Sequence, residues 1–259
     1  MAYFEMHFRS KVLKMQVTVN VILPEDISAD GPAGAPRGTY KTLYLLHGLS
    51  DDHTAWMRNT SIARYARDHG IAVIMPAVVR SWYTNTAYGA KYFTFVSEEL
   101  PALCRSYFKG MSDKREDNFI AGLSMGGYGA LKTALTYPER FGGCASLSGA
   151  LDVTRYHKNY GLDEWGGNFG FGITDGSTIK DSENDIFALT KKNHSEGRPF
   201  PKIFMWCGTE DSLIKDNHAY RELLSELDID FSYSESEGDH TWKWWDMHIQ
   251  PALEYLLKK

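Results

Sequence analysis

A serine at the centre of a glycine-rich stretch is the first candidate for chemistry in this sequence. In "AGLSMGGYGA" (121–130) the spacing is Gly122-x-Ser124-x-Gly126. The apolar residues before the serine predict a strand, and the residues after it predict a helix. A strand, a sharp turn and a helix together typically present a nucleophilic serine, because small neighbours permit the turn and the helix N-terminus faces the reaction site. The alternatives are a phosphate-binding turn or simple close packing, and the flanking elements favour the nucleophile.

A serine hydroxyl needs a base, and His240 is the best candidate. In this arrangement the acid, and then the histidine, follow the serine along the chain. His240 lies in "SEGDHTWKWW", after a predicted strand and before the last predicted helix, which places it at the carboxyl edge of the sheet where ligands bind. His218 and His248 fall near or within predicted helices, and His157 and His194 fall in an irregular segment. These four histidines are therefore weaker candidates.

The acid that orients the histidine is expected at the end of another strand. The stretch "KIFMWCGTEDSL" ends an apolar run with polar residues, among which Asp211 and Glu210 compete and Asp216 is a third candidate. Asp211 has the better spacing beyond Gly208, but spacing alone does not decide between them. The alternative for each is a solvated loop carboxylate.

Acyl transfer also needs backbone N–H groups that stabilise an oxyanion. One is expected from Met125, directly after the nucleophile, and the other from Leu49, in the loop after "LYLLHG". Gly48 allows a tight turn there. His47 precedes the nucleophile in the chain, and we expect it to order this loop by hydrogen bonding rather than to act as the base.

Alternating strands and helices surround these residues. Apolar or β-branched runs predict strands at 15–24, 41–48, 71–76, 118–122, 142–149, 202–208 and 229–236. Helical patterns lie at 60–70, 95–108 (with Pro101 at a kink or a fresh first turn), 125–141, 218–228 and 241–259. This alternation predicts an α/β fold with a mostly parallel sheet, helices on both faces and a single domain over 1–259. A long irregular segment at 152–199 is either a lid or pocket wall, or a surface excursion without a role in binding.

Composition excludes several classes of function. The net charge is −5 and the pI is near 6.0, and the absence of a long Lys/Arg run argues against nucleic-acid partners and polybasic membrane binding. No apolar run approaches the roughly 20 residues that span a bilayer, and the N-terminus lacks the apolar core of a secretion signal. The three cysteines are far apart and are interpreted as reduced, buried thiols, which favours a cytoplasmic location.

These motifs resemble those of α/β-hydrolases of the esterase D group. The similarity extends over nearly the whole chain and is strongest to the bacterial tributyrin-esterase-like acyl esterases, with "GLSMGGYGA" and "GDHTW" the most specific pieces and "LYLLHGLSDDHTAW", "CGTEDSL" and "EGDHTWKWWD" in support. The resemblance implies that Ser124, Asp211 and His240 are nucleophile, acid and base, and it selects Asp211 over Glu210. It also implies no metal or organic cofactor and, for many members, a homo-oligomer.

The expected function is that of a serine carboxylesterase, which hydrolyses short-chain acyl esters of small molecules through an acyl-enzyme. The group also contains feruloyl and acetylxylan esterases, S-formylglutathione hydrolases and mycolyltransferases. The loop "GLSDDHTAW" lacks the cysteine usual in the formylglutathione branch, which weakens the thioesterase alternative. An acyltransferase with the same triad remains an alternative. A non-catalytic binding module is disfavoured because all three triad residue types are present.

Large aromatic residues near the site in sequence are candidates for the walls of a substrate pocket. Trp82, Trp165 and Trp242 are expected to limit the length of the acyl chain, or to stack on an aromatic acyl group. The alternative for Trp242 is that it forms the buried stripe of the last helix together with Trp245 and Ile249.

Overall fold

An eight-stranded sheet runs through the residues that the computed structural model describes, which are 1–25, 38–86, 89–154 and 179–258. The strands are β1 (Ala2–Arg9), β2 (Gln16–Leu23), β3 (Thr42–Leu46), β4 (Ala72–Pro76), β5 (Asn118–Leu123), β6 (Gly143–Leu147), β7 (Lys202–Gly208) and β8 (Ser232–Ser236). Their order is β1-β2-β4-β3-β5-β6-β7-β8. The pairs made by β1 with β2 and by β2 with β4 are antiparallel, and all other pairs are parallel. The predicted α/β class with a mostly parallel sheet is confirmed.

Helices connect most of these strands. The described α-helices of five or more residues are α1 (Ala55–Asn59), α2 (Ile62–His69), α3 (Leu100–Tyr107), α4 (Met125–Thr136), α5 (Ile186–Ser195), α6 (Ile214–Glu226) and α7 (Trp242–Leu257). A π-helical turn (Phe95–Glu99) leads directly into α3, and Pro101 lies in the first turn of that α-helix. Gly70 ends α2 with a φ of 63°, a left-handed conformation suited to glycine.

The central strands are buried on both faces, which explains their continuous apolar sequences. In β3, Tyr44 and Leu46 belong to one core, which includes Tyr128 of α4. Leu43 and Leu45 belong to the core on the other face, which includes Trp245 and Ile249 of α7. Because successive side chains of a strand point to opposite faces, a strand between two helical layers must be apolar throughout. Polar side chains that do chemistry are therefore positioned where the strands end.

Strand β1 was not predicted from the sequence. It pairs with β2 over its whole length and forms one edge of the sheet. All of its residues are exposed or half-buried, and it contains charged residues such as Glu5 and Arg9 as well as aromatic ones. A solvated edge strand needs no continuous apolar run, so its sequence resembles that of a loop.

The segment 152–199 departs from its predicted irregularity at its C-terminal end. Helix α5 begins after Asp185, whose carboxylate accepts hydrogen bonds from the backbone N–H groups of Phe187 and Ala188. The buried face of α5 includes the polar residues Thr190 and Asn193, so hydrophobic periodicity does not reveal the helix. Residues 155–178 of the segment lie outside the described residues.

The three cysteines are free and buried, as predicted. Burial raises the pKa of the Cys104 thiol to about 12, so it is protonated at neutral pH.

Among the described helices, none combines the length and the apolar character that crossing a bilayer requires.

Candidate active site

Ser124 occupies a sharp turn between β5 and α4. Its backbone has φ 53° and ψ −119°, a conformation that L-residues rarely adopt. Backbone hydrogen bonds fix this turn: the N–H of Ser124 donates to the carbonyl of Leu147, and the N–H groups of Tyr128 and Ala150 donate to the carbonyl of Ser124. Strained backbone persists only where the surrounding structure over-determines it, and such residues concentrate at functional sites.

The two glycines that flank Ser124 are required by close packing. A Cβ at Gly122 would lie 2.4 Å from the backbone of Gly126, and a Cβ at Gly126 would lie 2.5 Å from the carbonyl oxygen of Leu46. Strand β5, helix α4 and strand β3 therefore approach one another more closely than any side chain allows. This close contact requires glycine on both sides of Ser124, in the spacing Gly-x-Ser-x-Gly. The turn presents the serine side chain at the carboxyl edge of the sheet.

His240 connects Ser124 to Asp211 through its two ring nitrogens. Its Nε2 lies 3.0 Å from the Oγ of Ser124, and its Nδ1 lies 2.8 Å from the Oδ2 of Asp211. Because a buried carboxylate accepts, Nδ1 carries the proton and Nε2 is free to accept one from the serine. The imidazole is 33% exposed whereas the Asp211 side chain is 0% exposed, so the histidine is open to solvent and the carboxylate is not.

The carboxylate of Asp211 is held in its ionised form despite its burial. Burial raises the pKa of Asp211, but the hydrogen bond and charge of His240, the backbone N–H of Leu213 and the hydroxyl of Ser148 together lower it below its ordinary value. The Leu213 N–H lies 2.9 Å from Oδ1. A carboxylate that stays charged at neutral pH can stabilise an imidazolium on His240.

The loops that carry Asp211 and His240 are joined to each other through Glu210 and Gly238. The N–H of Glu210 donates to the carbonyl of Gly238 at 3.0 Å, and the N–H of Gly238 donates to the Oε2 of Glu210 at 2.6 Å. The N–H of Thr209 also donates to the carbonyl of Ser236. Glu210 therefore holds the two loops in register, while its neighbour Asp211 contacts the histidine.

His47 orders the loop that contains the predicted oxyanion donor Leu49. Its Nδ1 donates to the carbonyl of Gly48 at 2.6 Å, and its Nε2 accepts from the N–H of Val78 at 3.0 Å. The ring is neutral, since burial lowers the pKa of His47 to about 4 and the Gly48 carbonyl offsets only part of this effect. The hydroxyl of Tyr83 donates to the carbonyl of His47. Because C=O and N–H point in opposite directions in a trans peptide, holding the Gly48 carbonyl turns the Leu49 N–H away from His47.

The loop that contains Gly48 and Leu49 also lies directly against Ser124. A Cβ at Gly48 would lie 3.9 Å from the Cβ of Ser124 and 2.8 Å from the side chain of Leu123. Met125, the other predicted donor, is the first residue of α4, where backbone N–H groups lack partners within the helix. Two backbone N–H groups beside a serine–histidine pair are the arrangement used for acyl transfer.

Comparison with known proteins agrees with this geometry. The Esterase family model, described as "Putative esterase", matches residues 10–256. The chain belongs to the Esterase family. It is 35% identical to an acetyl esterase of Caldicellulosiruptor saccharolyticus, over 100% of this chain and 99% of the relative.

Two solved structures are similar over nearly their full lengths. A fluorophosphonate-binding serine hydrolase F of Staphylococcus aureus is 35% identical, with a TM-score of 0.87 over 100% of this chain and 99% of that one. An S-formylglutathione hydrolase of the same organism is 36% identical, with a TM-score of 0.86 over 99% of each chain. The protein is therefore a serine carboxylic ester hydrolase with an α/β-hydrolase fold.

The other histidines considered for the base lie elsewhere in the esterase. His194 is exposed on α5. His218 lies in α6 and contacts the carboxylate of Glu235 at 2.6 Å. His248 lies in α7 and stacks on the ring of Trp206, with a centroid distance of 3.9 Å. His157 lies outside the described residues. Asp216, the third candidate for the acid, lies in the first turn of α6.

The predicted pocket residues occupy different positions in the esterase. Trp82 is 2% exposed, has a φ of 54° and packs edge-on against Tyr128. Trp242 is half-buried and lies perpendicular to both Trp56 and Trp245. Trp165 lies outside the described residues. The role of these three tryptophans in binding an acyl group stays a prediction.

Sequence reasoning missed two residues beside the candidate acid and base. Ser148, directly after β6, is one of the groups that lower the pKa of Asp211. Trp245 donates its indole N–H to the Oγ of Ser148 at 3.1 Å, and its ring lies perpendicular to that of His240 at 4.9 Å. The available signal was the position of Ser148, which follows a buried strand at the same edge of the sheet as the triad.

Proposed function

We propose that Ser124, His240 and Asp211 form a catalytic triad, and that the enzyme hydrolyses short-chain acyl esters of small alcohols through an acyl-enzyme. The observation that carries this proposal is the continuous chain of hydrogen bonds from the Ser124 Oγ, through both nitrogens of His240, to the Asp211 carboxylate. Ser124 lies in a strained turn, Met125 follows it directly, and a Cβ at Gly48 would lie 3.9 Å from the Cβ of Ser124. These contacts support the N–H groups of Leu49 and Met125 as oxyanion donors.

In the first half of the reaction, the Ser124 Oγ attacks the ester carbonyl while its proton passes to the Nε2 of His240. Asp211 keeps the imidazole in the required tautomer and stabilises its positive charge. The N–H groups of Leu49 and Met125 stabilise the oxyanion of the tetrahedral intermediate. The intermediate then collapses as His240 returns the proton to the leaving alcohol, and the acyl group stays on Ser124.

In the second half, water attacks the acyl-enzyme. His240 takes a proton from the water, the second tetrahedral intermediate uses the same oxyanion donors, and Ser124 leaves with the proton returned by His240. The carboxylic acid then departs. An acceptor alcohol in place of water would give acyl transfer instead.

The preference for short acyl groups is supported by the acetyl esterase that shares 35% identity over the full length of this chain. The second candidate substrate is an S-acyl thioester such as S-formylglutathione, since the hydrolase of that name is 36% identical over 99% of this chain. Both substrates would react through the same triad.

The proposal is tested with a nitrophenyl acetate assay, an S-formylglutathione assay and a fluorophosphonate probe. We expect the wild-type enzyme to hydrolyse the acetate with a higher kcat/KM than the thioester, and the probe to label Ser124. Ser124→Ala should lower kcat by about 10⁴-fold or more while thermal unfolding stays cooperative. Labelling of another serine would contradict the triad. A higher kcat/KM for the thioester than for the acetate would make the thioester the first candidate substrate.

A further inference from the structure

Tyr83 lies in the loop after β4 (77–86), whose backbone is strained at three positions. Val79, Trp82 and Tyr83 have φ values of 48°, 54° and 49°, in the left-handed region that favours glycine. Hydrogen bonds within the loop fix this shape, since the N–H of Thr84 donates to the carbonyl of Ser81 and the N–H of Tyr83 donates to the Oγ of Ser81. Strain of this kind persists only where surrounding contacts over-determine it, and it concentrates at functional sites.

The hydroxyl of Tyr83 reaches the loop that contains the proposed oxyanion donor Leu49. It donates to the carbonyl of His47 at 3.0 Å. Tyr83 is 0% exposed, and burial raises the pKa of its hydroxyl well above the ordinary value, so the hydroxyl keeps its proton. The N–H of Val78, in the same loop as Tyr83, donates to the Nε2 of His47 at 3.0 Å. The loop after β4 therefore holds His47 by both its backbone and its side chain.

The ring of Tyr83 lies against α4, the helix that begins at the other proposed donor, Met125. A Cβ at Gly129 would lie 2.5 Å from two ring atoms of Tyr83, so only glycine admits the ring at this position of the helix. The Nζ of Lys132, which is also buried in α4, donates to the carbonyl of Tyr83 at 3.3 Å. Helix α4 thus contacts the ring of Tyr83 through Gly129 and its backbone through Lys132.

We infer, on the basis of the proposed function, that Tyr83 is a positioning residue for the reaction: it lies between the loop that carries Leu49 and the helix that begins at Met125, and it fixes the separation of these two oxyanion donors. Leu49 follows β3 whereas Met125 follows β5, so the two N–H groups come from elements that are far apart in the chain. Donors stabilise an oxyanion best when they are in place before the charge develops. A buried tyrosine that contacts both elements supplies this preorganisation.

This role of Tyr83 has a specific kinetic signature. The oxyanion forms in the transition state and not in the bound ester, so displaced donors lower kcat and leave KM nearly unchanged. The donors act on the carbonyl oxygen, and a sulfur anion accepts hydrogen bonds poorly. The ratio of kcat/KM for an ester to kcat/KM for its thiono analogue, in which sulfur replaces the carbonyl oxygen, therefore reports the oxyanion donors. A loss of folded enzyme lowers both rates equally and leaves this ratio unchanged.

The first test is Tyr83→Phe, assayed with nitrophenyl acetate and with nitrophenyl thionoacetate. Phenylalanine keeps the ring against Gly129 and removes the hydroxyl from the His47 carbonyl. We expect kcat for the acetate to fall about tenfold, less than the roughly 10²–10³-fold loss typical for removal of an oxyanion donor itself, with KM within about twofold of wild type. The ratio of the two kcat/KM values should fall by a similar factor, because the thiono ester depends less on the donors.

A second variant and a matched control keep the test decisive. Gly129→Ala retains the tyrosine but adds a methyl group that must displace its ring, while alanine itself favours the helix. We expect kcat and the ratio to fall as in Tyr83→Phe. The control is Tyr220→Phe: Tyr220 of α6 is also 0% exposed, and its hydroxyl hydrogen-bonds to that of Thr190 at 2.8 Å. Loss of this hydrogen bond should lower the melting temperature, whereas kcat and the ratio should match those of the wild type.

The outcomes separate the role of Tyr83 from the proposed function. If the wild-type enzyme does not hydrolyse the acetate, the proposed function is wrong and the inference about Tyr83 is wrong with it. If it does, and folded Tyr83→Phe keeps the wild-type kcat or the wild-type ratio, only the role of Tyr83 is wrong. If Tyr83→Phe does not fold, a wild-type ratio in Gly129→Ala overturns the inference and a lowered ratio supports it.

Discussion

Gly208 and Gly238 lie in backbone contact, so close that a Cβ at Gly208 would lie 2.0 Å from the carbonyl oxygen of Gly238. Gly208 ends strand β7 just before Asp211, the proposed acid, and Gly238 precedes His240, the proposed base, by two residues. This contact and the two hydrogen bonds between Glu210 and Gly238 hold the Asp211 loop against the His240 loop.

Gly208→Ala should therefore impair catalysis more than stability alone explains. The added methyl group must push the two loops apart, because the atoms that it meets belong to the backbone and not to a flexible side chain. We expect kcat to fall by about 10²-fold, since displacements near 1 Å in a catalytic site have effects of this size. Steady-state kinetics with nitrophenyl acetate and a thermal unfolding curve measure both effects.

The matched control is Gly197→Ala, distant from the triad in the turn after α5. Gly197 has a φ of 63° and open space around its Cα, so alanine there is strained but meets no neighbour. We expect about 1 kcal/mol of destabilisation with kcat unchanged. Equal kcat values for Gly208→Ala and wild type would show that the contact between the loops does not set the geometry of the site.

Asp211→Asn and Glu210→Gln distinguish the two carboxylates that the sequence places side by side. Asp211→Asn should lower kcat about 10⁴-fold at neutral pH, because the amide stabilises the wrong tautomer of His240 and leaves an imidazolium without its charge partner. Glu210→Gln should change kcat less than tenfold, since the side-chain oxygen of glutamine still accepts the Gly238 N–H. A larger loss in Glu210→Gln than in Asp211→Asn would reverse the assignment of the acid.

The positions of Ser124, Asp211 and His240 could be predicted from sequence because each follows a predicted strand. Ser124 comes directly after β5, Asp211 follows β7 and His240 follows β8, and the carboxyl ends of neighbouring parallel strands meet at one edge of the sheet. Apolar runs locate buried strands such as β5 and β7 without knowledge of their partners. The same reasoning predicted that His47 orders the loop before Leu49, and its two hydrogen bonds confirm this.

Contacts between distant segments could not be predicted in this way. Trp245 was interpreted as part of the buried stripe of the last helix, and its burial with Ile249 agrees with that interpretation. Its hydrogen bond to Ser148 joins residues 97 positions apart, and neither residue type indicates the other. The contact between Gly208 and Gly238 could not be predicted from sequence either, because glycine occurs at loop positions for many different structural reasons.

His47 should make the stability of the fold depend on pH between about 4 and 6.5. Burial lowers the pKa of His47 from 6.5 to about 4. In this window the unfolded chain binds a proton at His47 that the folded chain does not, so the free energy of unfolding decreases as pH falls. The contribution of His47 is fully present above pH 6.5 and is lost as pH approaches 4; it amounts to roughly 3 kcal/mol.

Urea unfolding of wild type and His47→Gln at several pH values between 7.5 and 4.5 measures this contribution. The variant should be less stable than wild type at pH 7.5. Because glutamine does not titrate, the variant should lose less stability on acidification. The difference between the two curves isolates His47 from the other titrating groups. Parallel curves for the two proteins would mean that His47 is protonated in the folded state as readily as in the unfolded one.

The preferred acyl chain is expected to be short. A methylene group that fits a pocket improves kcat/KM only modestly, by about 1–3 kcal/mol, whereas a methylene group that clashes with a rigid wall excludes the substrate. Trp242 is fixed between Trp56 and Trp245, with ring centroids 5.1 Å and 5.3 Å away, and Trp245 contacts His240. A side chain held between two others would not move aside for a longer acyl chain. We therefore expect kcat/KM for nitrophenyl esters to peak between acetate and butyrate and to fall steeply by octanoate.

Trp242→Ala tests whether this residue forms the wall. If it does, the ratio of kcat/KM for octanoate to that for acetate should rise at least tenfold in the variant, because removal of the indole makes room for the longer chain. If Trp242 only packs α7 against α1, the melting temperature should fall and the ratio should stay at the wild-type value.

Methyl ferulate belongs in the same series, since aromatic walls can also stack on an aromatic acyl group. A wild-type maximum at octanoate or beyond would contradict the short pocket, and a preference for methyl ferulate would identify the enzyme as an esterase of aromatic acids.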